Sequence, residues 1–133
     1  MSSIIIVNEL LKRDLAVKAI ANTRIFPIQA LQSTSSAYIV TNEVSSRDNP
    51  LVATPGEYYR DRVTVEAIAP DALTAINLGK AVMKCLDGVV DRTITDYEDV
   101  TIRFADVGFS DQNDVQTAFR VVKQFFVWWR ARI

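Results

Sequence analysis

The sequence contains no histidine. That removes the serine–histidine and cysteine–histidine pairs of nucleophilic catalysis, histidine acid–base work and histidine metal ligation. Cys85 is the single cysteine. Neither an internal disulfide nor a cysteine zinc site can form from it, and its solitude fits a reducing compartment. The four glycines build no phosphate loop and no dinucleotide fingerprint. Charge of neither sign dominates: 15 basic residues face 16 acidic ones, for a net charge of -1. The clustered basic footprint of a nucleic-acid binder is therefore missing. Long apolar runs are missing too. Ile4-Ile5-Ile6-Val7 is too short for a signal-peptide core and leads at once into Asn8 and Glu9. Nothing approaches the roughly 18 apolar residues that cross a membrane.

What is present is ordinary for a folded domain: 49% hydrophobic and 23% charged residues in a chain of 133. That length suits one domain, 1–133, able to bury a core without staples. The remaining candidates for chemistry are carboxylates. Asp96, Glu98 and Asp99 cluster before an apolar run, and Asp111-Gln112-Asn113-Asp114 faintly resembles the opening of a calcium loop. The match fails, because Val115, Gln116 and Val122 stand where a ligand, a glycine and an acid are needed. Both clusters read as solvated turns. No cofactor, metal or enzymatic activity is expected. A hydrolase working through paired acids is the least supported reading, since it needs a pocket that brings two of them together.

Along the chain, Ile4, Val7 and Leu11 recur at helical spacing, continued by Leu15, and Asp14 caps a second short helix that runs to Ile20 and closes at Asn22. Arg24-Ile25-Phe26-Pro27 reads as a short strand stopped by proline. A strand over 37–44 follows, and then a long connection, Ser45–Glu57, carrying Asn49-Pro50 and Pro55-Gly56. Residues 58–68 alternate: Val63, Val65 and Ala67 point one way, Arg62, Thr64 and Glu66 the other. Pro70-Asp71 opens a helix whose face carries Ala72, Ala75, Ile76, Gly79, Val82, Met83 and Leu86, and Asp87-Gly88 stops it. Asp91, Thr95 and Asp96 lie in a loop before a strand at Val100, Ile102 and Phe104; residues 108–114 turn the chain into a final strand over 117–129. Cys85, beside the apolar helix face, reads as an inert packing residue. The expected fold is α+β: a mostly antiparallel four- to five-stranded sheet with an N-terminal helical pair and one central helix packed on it.

The final strand is unusual. One face carries Phe119, Val121, Phe125, Val127 and Trp129, interrupted only by Lys123. The other begins polar, with Arg120 and Gln124, and ends with Phe126 and Trp128. Those two rings require a cover, either from the N-terminal helices or from a neighbouring subunit, and exposed aromatics mark interfaces. The end of the strand also offers a place to extend the sheet into a neighbour. Arg47 and Asp48 in the long connection, and Arg60, Asp61 and Arg62 at the next strand, are the candidates for ion pairs between subunits, with Asn49 beside them.

This ending resembles that of phage tail completion, or tail terminator, proteins, whose last strand often reads as an aromatic, Arg-Val, a polar alternation, then Phe-x-Val-Trp. Other elements agree in order: Leu10-Leu11, Asp14-Leu15-Ala16-Val17, Arg24-Ile25-Phe26-Pro27, Ala37-Tyr38-Ile39-Val40, Val63-Thr64-Val65-Glu66, and Ala81-Val82 through Leu86-Asp87-Gly88. The resemblance spans nearly the whole chain. Ser and Thr stand after Pro27 where such proteins usually carry a more Pro-rich segment. The resemblance implies a structural virion protein. Such proteins form a ring, usually a hexamer, on the head-proximal end of the tail tube. The ring ends tube polymerisation and joins the tail to the head connector. The implied partners are further copies of the chain, the tail tube protein and the connector, with DNA passing through the lumen and no membrane involved. A chain without strong positive charge suits such a lumen, since a basic wall would hold the phosphate backbone by counterion release. Another small connector or minor tail protein is the second reading. On the first, the long connection contacts a neighbour or the tube. Deleting Asn49–Thr54 is therefore expected to block tail assembly while leaving the circular dichroism spectrum and melting of the isolated chain unchanged; normal assembly by the deletion would refute that contact.

Overall fold

The computed structural model describes residues 2–22, 24–27, 36–48, 58–94, 97–112 and 118–131. Helix α1 spans Ser2–Arg13, burying Ile4, Ile6, Val7, Leu10 and Leu11 and ending on Lys12 and Arg13, whose charge suits a helix C-terminus. Asp14 then caps α2, Leu15–Ala21, its Oδ1 accepting the amides of Ala16 (2.9 Å) and Val17 (3.1 Å). Leu15 does not continue the apolar stripe: it is 82% exposed, because capping at Asp14 restarts the helix with Val17 and Ala21 inward.

Helix α3, Ala72–Leu86, is capped by Asp71, which accepts the Thr74 amide at 2.9 Å and the Thr74 hydroxyl at 2.8 Å. These bonds favour the charged carboxylate and hold its pKa below the ordinary value. The helix ends where Gly88 adopts φ +91°, a conformation that costs other residues. Its buried face is Ala75, Leu78, Gly79, Val82 and Leu86. Ala72 and Ile76, expected on that face, are exposed, and Leu78 joins it instead, so the stripe is rotated from the expected one.

Among the described residues, six strands form one sheet: β1 (Ile25–Pro27), β2 (Tyr38–Asp48), β3 (Tyr58–Ala69), β4 (Val89–Ile94), β5 (Tyr97–Gln112) and β6 (Phe119–Ala131), in the order β1-β2-β3-β6-β5-β4. The α+β class and the helix arrangement hold, but the sheet has six strands rather than four to five. It is also mixed, since β1 runs parallel to β2. Residues 89–94, expected as loop, form β4. Val89 and Ile94 are buried in it, while register shifts around Arg92 break the alternation that would have revealed it. Strand β5 continues to Gln112 where a turn was expected, because an irregularity between Phe104 and Gly108 lets it bend and keep pairing. Strand β2 likewise runs to Asp48, with a register shift between Glu43 and Ser45. Of the long connection, 49–57 lie outside the described residues, Asn49 among them.

All three helices cover one face of the sheet. On β3 that face is Asp61, Val63, Val65, Ala67 and Ala69; on β6 it is Val121, Phe125, Val127 and Trp129. The Thr41 hydroxyl of β2 donates to Asn8 Oδ1 of α1 at 2.8 Å, both side chains buried, and so fixes α1 on this face. Cys85 Sγ donates to the Leu10 carbonyl at 3.6 Å, joining α3 to α1. Burial, and then the nearby Asp14 charge, push its thiol pKa up to about 12, which leaves little thiolate to react.

Gly79 is where α3 comes closest to β6. A Cβ there would lie 2.8 Å from Val121 Cγ1, a stiff, buried, β-branched side chain. Gly79→Ala is expected to destabilise the fold by about 1–3 kcal/mol through overpacking, despite the better helix propensity of alanine. Urea unfolding measures this, and a stabilised variant would show that α3 can retreat from Val121 without loss of packing.

Candidate functional site

The sheet face away from the helices gathers most of the residues singled out from the sequence. Strand β6 lies at the centre of the sheet, between β3 and β5. Its end is paired on both sides, Arg130 with Tyr58 and with Glu98, so it cannot lengthen the sheet into a neighbour as expected. What it offers instead is a face. Phe126 lies between Arg62 of β3 and Arg103 of β5, and Trp128 between Arg60 and Thr101. The helices do not shield these two rings, because they pack on the opposite side of the same strand.

The patch is built from cations on rings. The guanidinium carbons of Arg60 and Arg62 stand 5.6 and 5.2 Å from the Phe126 centroid, and the Phe126 and Trp128 rings are 5.8 Å apart. Both rings are half-buried by this stacking. Arg62 Nε is shielded from solvent and has no hydrogen-bond acceptor. Among the described residues, no carboxylate pairs with Arg60, Arg62 or Arg103.

Further along the same face, Arg120 bridges three strands. Its Nη1 donates to Glu66 Oε1 of β3 at 2.7 Å, its Nε to Asp111 Oδ1 of β5 at 2.9 Å, and its Nη2 to Asp111 Oδ2. The hydrogen bonds from Arg120 hold the Asp111 carboxyl below the usual carboxylate range, and the arginine pKa rises in turn. Asp111, first read as part of a solvated turn, is thus a strand residue fastened to β6. Glu66 was invisible as a partner of Arg120 because it lies 54 residues away in the sequence, and Asp111 because its segment reads as a turn.

The other sequence candidates separate. Asp61 is 1% exposed on the helix-covered face, so it is not presented alongside Arg60 and Arg62. Alternation in β3 places it opposite them. The backbone of Arg47 pairs with Arg60 and that of Asp48 with Tyr59. Asp99 adopts φ 54° at a break in the β5–β6 register, 3.8 Å from Arg130. Asp96 lies outside the described residues. Among the described residues, no three His, Cys, Asp or Glu side chains converge as metal ligands, and no helix is long and apolar enough to cross a membrane. Sequence reasoning missed Arg103, which joins the patch only because β5 is the other neighbour of β6.

Phe125 and Phe126 are adjacent and chemically identical, yet they face opposite sides. Phe125 is fully buried against Phe104, 5.8 Å between centroids. Phe125→Ala is expected to cost about 3–5 kcal/mol of stability. Phe126→Ala is expected to cost less than half as much, because its ring is half-buried, packed on arginines and Trp128 rather than in the core. Chemical denaturation of the two variants measures the difference; equal losses would mean that the open face is part of the core.

The curated proteins include no match to this chain. Among solved structures, a chain from the virion of a native gene transfer agent particle has the same fold, with a TM-score of 0.78 over 96% of this chain and 94% of that one, at 15% sequence identity. A family model described as tail completion protein gp17 matches residues 7–133. The chain belongs to the tail completion protein gp17 family and is a structural protein of the phage tail.

Proposed function

We propose that this protein assembles into a ring of identical subunits, six by the usual pattern of tail terminators, on the head-proximal end of the tail tube. There it ends tube polymerisation and provides the joint to the head connector, and DNA passes through its lumen without sequence-specific contacts. The observation that carries this reading is the family match over 7–133, nearly the entire chain. The fold shared with a virion chain supports it. So does the sheet itself, whose aromatic and arginine-rich face is not covered by the helices of the described residues.

A structural role also accords with how the polar groups are used. The caps Asp14 and Asp71, the Thr41–Asn8 bond and the Arg120 bridge all tie elements of the chain to one another. Cyclic rings are built from head-to-tail contacts whose rotation closes, so each subunit needs two different surfaces. In this reading the protein functions in the virion, at the tail end nearest the head, after assembly in the host cytoplasm.

The direct test is to add the purified protein to tail tube protein as it polymerises, and to image the products by negative-stain electron microscopy. Short tubes are expected, each bearing a ring of defined symmetry at one end. Tubes that grow to unchanged length with bare ends would overturn the reading, and attachment to isolated connectors alone would favour the neighbouring connector role.

A further inference from the structure

We infer that the Phe126–Trp128 patch is where a second copy of this chain docks head-to-tail, bringing carboxylates from outside its own patch onto Arg60, Arg62 and Arg103. The inference rests on the self-assembly just proposed and goes further by naming the surface, its chemistry and its polarity.

Geometry narrows the choice first. The two edges of the sheet are poor templates for joining copies strand to strand. Strand β1 is three residues long and ends at Pro27, which has no N–H to donate. Strand β4 is short, and its pairing is broken by two register shifts. One face of the sheet is filled by helices. The open face is what remains, and its centre has the composition of an interface core: two large rings, with arginines rather than lysines around them. Arginine suits this place. Its weakly hydrated guanidinium lies flat on a ring and still presents a fork of donors to a carboxylate. Four of the chain's five lysines lie instead on the helices, as Lys12, Lys18, Lys80 and Lys84. Arg62 also keeps an Nε without an acceptor, an arrangement that is costly in an isolated chain.

Charge then selects the partner. Across the neighbouring strands from the two rings stand Arg60, Arg62, Arg103 and Thr101. Thr64 and Gln124 follow beyond Phe126, and Tyr58, Arg130 and Glu98 beyond Trp128, so the one carboxylate, Glu98, lies across from Arg130 and the patch keeps three cations in excess. Because the whole chain carries a net charge of -1, everything outside the patch is net negative. A twofold contact, patch against patch, would set three arginines against three. A head-to-tail contact sets them against the acidic remainder of the next copy, and that is the arrangement from which rings close. Duplex DNA fits the patch less well, since it offers no exposed base to stack on the rings, and three cations are few for a phosphate backbone.

The test uses the intact protein. Its two tryptophans report separately: Trp129 is stacked on Tyr59 inside the core, while Trp128 lies on the open face. Acrylamide quenching of the accessible tryptophan, followed beside mass photometry over a concentration series, should fall as oligomers form, and added salt should shift both curves to higher concentration. Arg62→Glu and Trp128→Ala are each expected to raise the half-assembly concentration about tenfold or more. Their circular dichroism and melting check that the monomer still folds. Assembly of both folded variants at the wild-type concentration, or quenching that does not change as wild-type oligomers form, would overturn the docking surface and leave the ring reading intact. A wild-type chain that stays monomeric, alone and with tail tubes, would sink both. Tight binding of a duplex oligonucleotide that Arg62→Glu abolishes, with assembly unaffected, would assign the patch to DNA instead.

Discussion

The three helices of the described residues pack on one face of the sheet, and the last strand of this protein carries large aromatic rings on both. That constraint organises the rest of the structure. Phe125, Val127 and Trp129 take the covered face, where α1 and α3 bury them. Phe126 and Trp128 are left on the other, and no further element of the described chain is layered over them. The two sides differ in how their rings are partnered. In the core, Trp129 stacks on Tyr59 at 5.5 Å and Phe125 tilts against Phe104, apolar against apolar. On the open face, the partners are guanidinium groups, which shield the ring surface while keeping their charge near water.

The position of β6 in the sheet gives this constraint its force. A strand at the edge could have turned its apolar end toward a neighbour through backbone hydrogen bonds. Flanked by β3 and β5, β6 has no free backbone to offer, and its contribution to assembly must come from side chains. The long, bent β5 serves the same end. By kinking between Phe104 and Gly108 it stays paired with β6 at both ends, which brings Arg103 to Phe126 and Asp111 to Arg120. The same irregularity accounts for Lys123, the polar interruption on an otherwise apolar face. Its ammonium stands 5.6 Å from the Phe104 ring, beside the bend.

Much of the fold was legible in the residues. The alternation of β3, the cap at Asp14, the helix opening at Pro70-Asp71, the stop at Gly88 and the two-sided end of β6 follow from local chemistry, and each is where the sequence places it. Strand β4 was not legible, because its register shifts erase the period of two and its charged residues resemble a loop. The buried stripe of α3 was rotated from the expected one, since Ile76 and Leu78 are both strongly apolar and only the angle of the helix on the sheet chooses between them. Of the candidate site, Arg60, Arg62, Phe126 and Trp128 were identified from the sequence. Asp61 was grouped with them by adjacency, although the strand's alternation alone sends it to the other face.

By itself, then, the sequence determined what kind of molecule this is: a chain without histidine chemistry, strong net charge or membrane-spanning length, and with an aromatic strand that needs covering on two sides. Local patterns such as caps, turns and alternation are written in neighbouring residues, so they can be read there. Only the tertiary structure decided which side receives the cover. The order of strands in a sheet depends on contacts between residues far apart in sequence, and no local period records them. The pairing of β6 with β3 and β5 put Arg60, Arg62 and Arg103 around Phe126 and Trp128. The packing of all three helices on the opposite face left that group outward.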